Sequence, residues 1–126
     1  MAEPFLLLVD DNPETLEFLT QALQAEGFTV RGVKSVLKAI EQLHDGSPTP
    51  ALIITDLLMP GTTGWDFMEH IRDDARLRPI PVIVVSGAEP GEGVTLADAV
   101  LQKPLDPEIL VQTVRRLFPP PLSLPV

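Results

Sequence analysis

Three short runs of almost unbroken apolar residues, Phe5 to Val9, Ala51 to Ile54 and Val82 to Val85, limit most sharply what this chain can become. Runs of four or five such residues, rich in Val and Ile in the later two, suit strands buried on both faces of a parallel sheet. Two weaker strands join them. "FTVRGV" at Phe28 to Val33 alternates apolar and polar as an edge strand does, and Ala99 to Gln102 closes the series.

Helical patterns fill the intervals. The first starts with Asn12 as N-cap and Pro13 at the first helical position, carries Leu16, Leu19 and Leu23 on one face, and stops at Gly27. A second runs from about Ser35 to His44 with Val36, Ile40 and Leu43 on one face. A third, opened by the turn "PGTTG", carries Trp65, Met68 and Ile71. The last is capped by Asp106 with Pro107 after it and uses Leu110, Val114, Leu117 and Phe118. Alternating β and α elements call for right-handed crossovers and a doubly wound α/β sheet with helices on both faces.

With 126 residues, 44% of them hydrophobic, the chain has the material for one core. We expect one domain over residues 1–118 and a proline-rich tail or truncated linker over 119–126. A net charge of −9 repels a phosphate backbone, so nucleic acid is not expected as a direct partner. No cysteine is present, which removes disulfides and thiolate chemistry. Runs such as "FLLLV" are too short to span a bilayer and follow no basic segment, so a soluble, cytoplasmic protein is expected.

In an open parallel sheet, ligands bind beyond the carboxyl ends of the strands, where the strand order reverses. Polar residues stand at those ends: Asp10 and Asp11 after the first strand, Asp56 after the third, Ser86 at the fourth, Lys103 at the fifth. Three carboxylates sharing one pocket repel one another, by about 4 kcal/mol per pair at 4 Å and an effective dielectric near 20. A hard divalent ion with oxygen ligands, most simply Mg²⁺, and the Lys103 ammonium answer that charge. A carboxylate beside such groups is an acceptor for a phosphoryl group, whose charge the metal and ammonium neutralise. Asp56 is the expected nucleophile.

Together "VDDN", "DLLMPGTTGWDFM", "PVIVVSG" and "KP" resemble the receiver domain of two-component response regulators, over about Phe5 to Phe118. The resemblance implies a five-stranded flavodoxin-like sheet in the order 2-1-3-4-5. It implies that Asp11 and Asp56 ligate Mg²⁺, that Asp10 acts largely through water, and that Leu58 offers its backbone carbonyl. Asp56 would then take phosphate from a histidine kinase or phosphotransfer protein, Ser86 would bond the new phosphoryl oxygen and Lys103 would pair with it. Such a chain is a signalling module that catalyses only its own phosphoryl transfer and slow autodephosphorylation. Its output would pass to an effector protein or to a domain outside this sequence.

Three features depart from the family pattern. Val100 stands where receivers usually carry a switching aromatic. Only seventeen positions separate Ser86 from Lys103, so the fourth helix should be short or irregular. Leu58 and Ala88 flank the site with apolar side chains, so neither should orient an attacking water and the aspartyl phosphate should persist. These departures motivate an alternative, a constitutive receiver-like interaction module. A phosphoaspartate-type hydrolase would want an acid two residues after Asp56 and finds Leu58. His44 and His70 fall near helix ends, where a dipole contact or plain exposure is expected, and Trp65 and Met68 should pack.

Overall fold

The computed structural model describes residues 4–56, 64–87 and 96–118. In chain order the elements are β1 (Leu6–Val9), α1 (Pro13–Ala25), β2 (Val30–Val33), α2 (Val36–His44), β3 (Leu52–Asp56), α3 (Gly64–Asp73), β4 (Val82–Ser86), β5 (Ala99–Gln102) and α4 (Pro107–Leu117). The five strands form one sheet in the order β2-β1-β3-β4-β5, and every neighbouring pair is parallel. That is the expected doubly wound sheet.

Helix starts follow local chemistry. The Asn12 side chain accepts from the backbone N–H groups of Glu14 and Thr15, Ser35 accepts from Lys38, and Asp106 accepts from Glu108. Each fills donors that a first helical turn leaves without partners. At the other end of α1, Gly27 takes φ 95°, a left-handed conformation that a side chain would strain, and this turns the chain into β2.

The sheet divides the core because successive side chains of a strand point to opposite faces. Leu7, Val9, Ile53, Val82 and Val84 meet α2 and α3 through Val36, Ala39, Leu43, Phe67, Met68 and Ile71. Leu6, Leu8, Leu52, Ile54, Ile83 and Val85 meet α1 and α4 through Leu19, Leu23, Leu110 and Val114. Each fully buried aliphatic side chain contributes about 1.5–3 kcal/mol by leaving water. Both faces are therefore covered, which is why these strands read as continuous apolar runs.

Several strand boundaries differ from the sequence reading. β1 begins at Leu6 rather than Phe5, β2 at Val30 rather than Phe28 and β3 at Leu52 rather than Ala51, while β3 runs on through Thr55 to Asp56 and β4 ends at Ser86 rather than Val85. Thr55 can be strand because its buried hydroxyl donates to the Asp56 carbonyl at 3.0 Å. The turn "PGTTG" up to Thr63, most of the interval expected to hold a short fourth helix, and the tail 119–126 lie outside the described residues.

Candidate functional site

The chain passes from β1 to β2 on one side and then returns to β3 on the other, so the strand order reverses between β1 and β3. Asp10 follows β1 directly and Asp56 is the last residue of β3, which sets the two acids on either side of that reversal. A crevice beyond the strand ends is the expected result.

One carboxylate oxygen from each of Asp10, Asp11 and Asp56 lies within 4.8 Å of the others. Asp10 and Asp56 are buried and Asp11 is exposed, so the cluster opens toward solvent on one side. Asp10 is fixed by its own turn: its Oδ1 accepts from the Asn12 backbone N–H at 2.9 Å. Lys103, just past β5, reaches back over β4 and donates from Nζ to Asp56 Oδ2 at 3.0 Å, with Asp10 Oδ2 at 3.9 Å. Its backbone N–H donates to the Ser86 carbonyl at 2.8 Å, tying the ends of β4 and β5 together. Ser86 is fully buried at the end of β4, and the peptide between Lys103 and Pro104 is cis.

The expected residues Asp10, Asp11, Asp56, Ser86 and Lys103 thus all stand at the same end of the sheet. Leu58 and Ala88 lie outside the described residues. Two contributors escaped the sequence reading. Asn12 was read only as a helix cap, yet its N–H also holds Asp10. Thr55, a polar residue inside an aliphatic strand, was the available signal for β3 continuing to the acid.

Three carboxylates against one lysine leave excess negative charge, and the donors are all hard oxygens. Both facts fit a divalent cation of the Mg²⁺ kind. Electrostatics at Asp10 agree: burial above all pushes its carboxyl up from the usual value, and the charges of Asp56 and Asp11 push the same way. The Asn12 N–H and the Lys103 ammonium oppose this. A carboxyl raised in the folded chain binds its proton more tightly there than in the unfolded chain, so its charge costs stability at neutral pH and the cost shrinks as pH falls toward the raised value. We therefore expect Asp10→Asn to be more stable than wild type at about pH 7.5 in EDTA, with the gap closing toward pH 5, by urea unfolding. A wild type that is the more stable at neutral pH would contradict this account of the charge.

Comparison with known proteins follows the same lines. The family model described as "Response regulator receiver domain" matches residues 6–115. Response regulator Rre1 of Synechocystis sp. is 37% identical over 125 residues, which cover 94% of this chain and 53% of that protein. The chain therefore spans about half the length of that curated relative. A response regulator receiver protein from Pseudomonas putida is 31% identical with a TM-score of 0.82, covering 92% of this chain and 98% of that one. The Thermotoga maritima response regulator TrrA, solved in complex with Mg²⁺ and BeF, is 24% identical with a TM-score of 0.81, covering 91% of this chain and 99% of that one.

Proposed function

The chain belongs to the response regulator receiver family, the signalling module of two-component systems, and on that footing we propose that Asp56 is its phosphoacceptor. The observation that carries the proposal is the Lys103 ammonium 3.0 Å from Asp56 Oδ2 in a pocket shared with two further carboxylates.

An Asp56 carboxylate oxygen attacks the phosphorus of a phosphohistidine on a histidine kinase or phosphotransfer protein. The new O–P bond forms as the P–N bond breaks, and the imidazole leaves with the electron pair and a proton from solvent. Asp11 and Asp56, with Asp10 largely through water and the backbone carbonyl that the family resemblance assigns to Leu58, would hold Mg²⁺, which would supply positive charge against the transferring oxygens. Lys103 exchanges its carboxylate partner for a phosphoryl oxygen, and the Ser86 hydroxyl donates to another.

The added charge at Asp56 shifts a balance between two conformations, and the output passes to an effector protein or to a domain outside this sequence. Val100 is half-buried against the core that holds α2 and α3 and has no ring to swing, so the signal leaves by another route. A constitutive interaction module remains the second reading, favoured by Val100 and opposed by the complete set of acids, hydroxyl and lysine. The family is one of signalling modules rather than enzymes acting on a separate substrate. We assign residues 1–118 to the receiver and 119–126 to a proline-rich tail or truncated linker. Among the described residues no helix is long and apolar enough to cross a membrane, and we place the module in the cytoplasm with its kinase.

Incubation with acetyl phosphate, read by intact mass, should give one phosphoryl adduct with Mg²⁺ and none in EDTA. An equal yield in both would overturn the proposed site. With Leu58 and Ala88 apolar, the adduct should be long-lived, and Leu58→Asn should hasten its loss by about tenfold or more. An unchanged lifetime would remove Leu58 from the account.

A further inference from the structure

Val9, Thr55 and Val84 stand side by side across the middle of the sheet, in register from β1 to β3 to β4. All three are fully buried, and the two valines belong to the core that faces α2 and α3. Valine and threonine have nearly the same shape, so a third valine would fill this row as well. Threonine instead sets a hydroxyl among aliphatic neighbours, which costs stability unless the group is hydrogen-bonded. Packing alone does not account for it.

The hydroxyl acts on the next residue. Thr55 Oγ1 donates to the carbonyl oxygen of Asp56 at 3.0 Å. Asp56 closes β3 with β4 still beside it at Val85, whereas the pairing with β1 ends one residue earlier, at Val9 opposite Thr55. The ladder with β1 thus stops just where the acid begins. With Thr55 held in the sheet on both sides, fixing the following carbonyl leaves Asp56 little freedom in φ and ψ. The direction of its Cα–Cβ bond is fixed with them.

We propose that Thr55 is a positioning residue for the acid cluster: its hydroxyl holds the Asp56 backbone so that the carboxylate meets Lys103 and the oxygens of Asp10 and Asp11. Successive strand residues point to opposite faces, so Thr55 works through the main chain of its neighbour and not on the reacting atoms. The tolerance is narrow. Asp56 Oδ2 lies 3.0 Å from Lys103 Nζ, and one oxygen from each of the three acids falls within 4.8 Å of the others. A misplacement of about 1 Å at a reacting centre costs up to about a hundredfold in rate. The effect on phosphoryl transfer rests on the reading of Asp56 as phosphoacceptor; the effect on Mg²⁺ rests on the cluster alone.

Two substitutions separate positioning from packing. Thr55→Val keeps the shape and removes the donor, and it also removes a hydroxyl from an apolar row, so the fold loses little. Thr55→Ser keeps the donor and leaves a methyl-sized gap beside Val9 and Val84, so the fold loses more. A threonine that served packing alone would show function falling with stability. A positioning threonine shows the two moving apart.

The test compares both variants with wild type. Mg²⁺ affinity is read from backbone amide shifts in a titration, transfer from the initial rate of adduct formation with acetyl phosphate at saturating Mg²⁺, and stability from thermal melts in EDTA. Thr55→Val should melt within about 3 °C of wild type or above it. It should nevertheless bind Mg²⁺ about tenfold more weakly and form the adduct about tenfold more slowly. Thr55→Ser should melt lower yet stay within about threefold of wild type on both functional readouts. Wild-type Mg²⁺ affinity in Thr55→Val, or a Thr55→Ser chain as impaired as Thr55→Val, would overturn the positioning role. A wild type that forms no adduct on Asp56 would remove the phosphoacceptor reading instead, and the Mg²⁺ titration would still decide for or against Thr55.

Discussion

Arg72→Met should lose about 3 kcal/mol of stability, and its melting temperature should fall by about 10 °C. The Arg72 guanidinium fastens two stretches of backbone, around Arg78 to Ile80 and Leu96 to Asp98, that no regular ladder holds. From α3, Nη1 donates to the carbonyls of Arg78 and Ile80 at 2.8 and 3.0 Å. Nε and Nη2 both donate to the Leu96 carbonyl, at 3.0 and 2.8 Å, and Nη2 also reaches Asp98 Oδ2 at 2.9 Å. The same Asp98 oxygen accepts from the Val82 backbone N–H at 2.8 Å. Methionine fills the space of the side-chain stem but offers no donor, so the carbonyls at 78, 80 and 96 lose their partner together. Because the Arg72 side chain is only 20% exposed, water replaces those bonds incompletely. Asp98→Asn keeps an acceptor oxygen for Val82 and should cost about 1 kcal/mol. Thermal melts of the two variants would separate these effects, and an Arg72→Met chain as stable as wild type would contradict the network.

Lys103→Met should slow phosphoryl transfer to Asp56 by about a hundredfold or more while leaving the fold intact, the usual effect of deleting one preorganised donor to developing charge. The lysine is 34% exposed at its side chain, so its pairing with Asp56 is partly screened and weighs less on stability than on chemistry. Its backbone tie to Ser86 does not depend on the side chain. Adduct formation from acetyl phosphate, timed by intact mass beside far-ultraviolet circular dichroism, reads both effects. A transfer rate within a few-fold of wild type would show that Lys103 does not face the transferring group.

Much of this arrangement could be read from the sequence because its determinants are local. Asn12, Ser35 and Asp106 cap helices through atoms two or three residues away, and the doubly covered strands declare themselves by unbroken apolar runs. Asp10, Asp11, Asp56, Ser86 and Lys103 stood out because each is polar at the end of such a run. β3 was read two residues short for the same reason: Thr55 and Asp56 are polar, and only the sheet shows them buried. Phe67 fell outside the narrow stripe of Trp65, Met68 and Ile71, although α3 buries a wider face.

What stayed hidden depends on contacts between distant parts of the chain. Arg72 bonds main-chain carbonyls, which leave no trace in the identity of the residues that own them. His44 and His70 are 26 positions apart and were each read as lone helix-end residues, yet their Nε2 atoms lie 2.9 Å apart. Their meeting follows from how α2 and α3 lie together on one face of the sheet, a consequence of strand order rather than of either helix.

The central claim, that Asp56 rather than a neighbouring acid takes the phosphoryl group, is tested most directly by borohydride reduction of the adduct formed with acetyl phosphate and Mg²⁺. Reduction converts an aspartyl phosphate into homoserine, which peptide mass spectrometry places in the sequence. Homoserine at position 56 alone, absent from Asp56→Asn, is the predicted result. Homoserine at position 10 or 11, or an adduct that persists in Asp56→Asn, would contradict it.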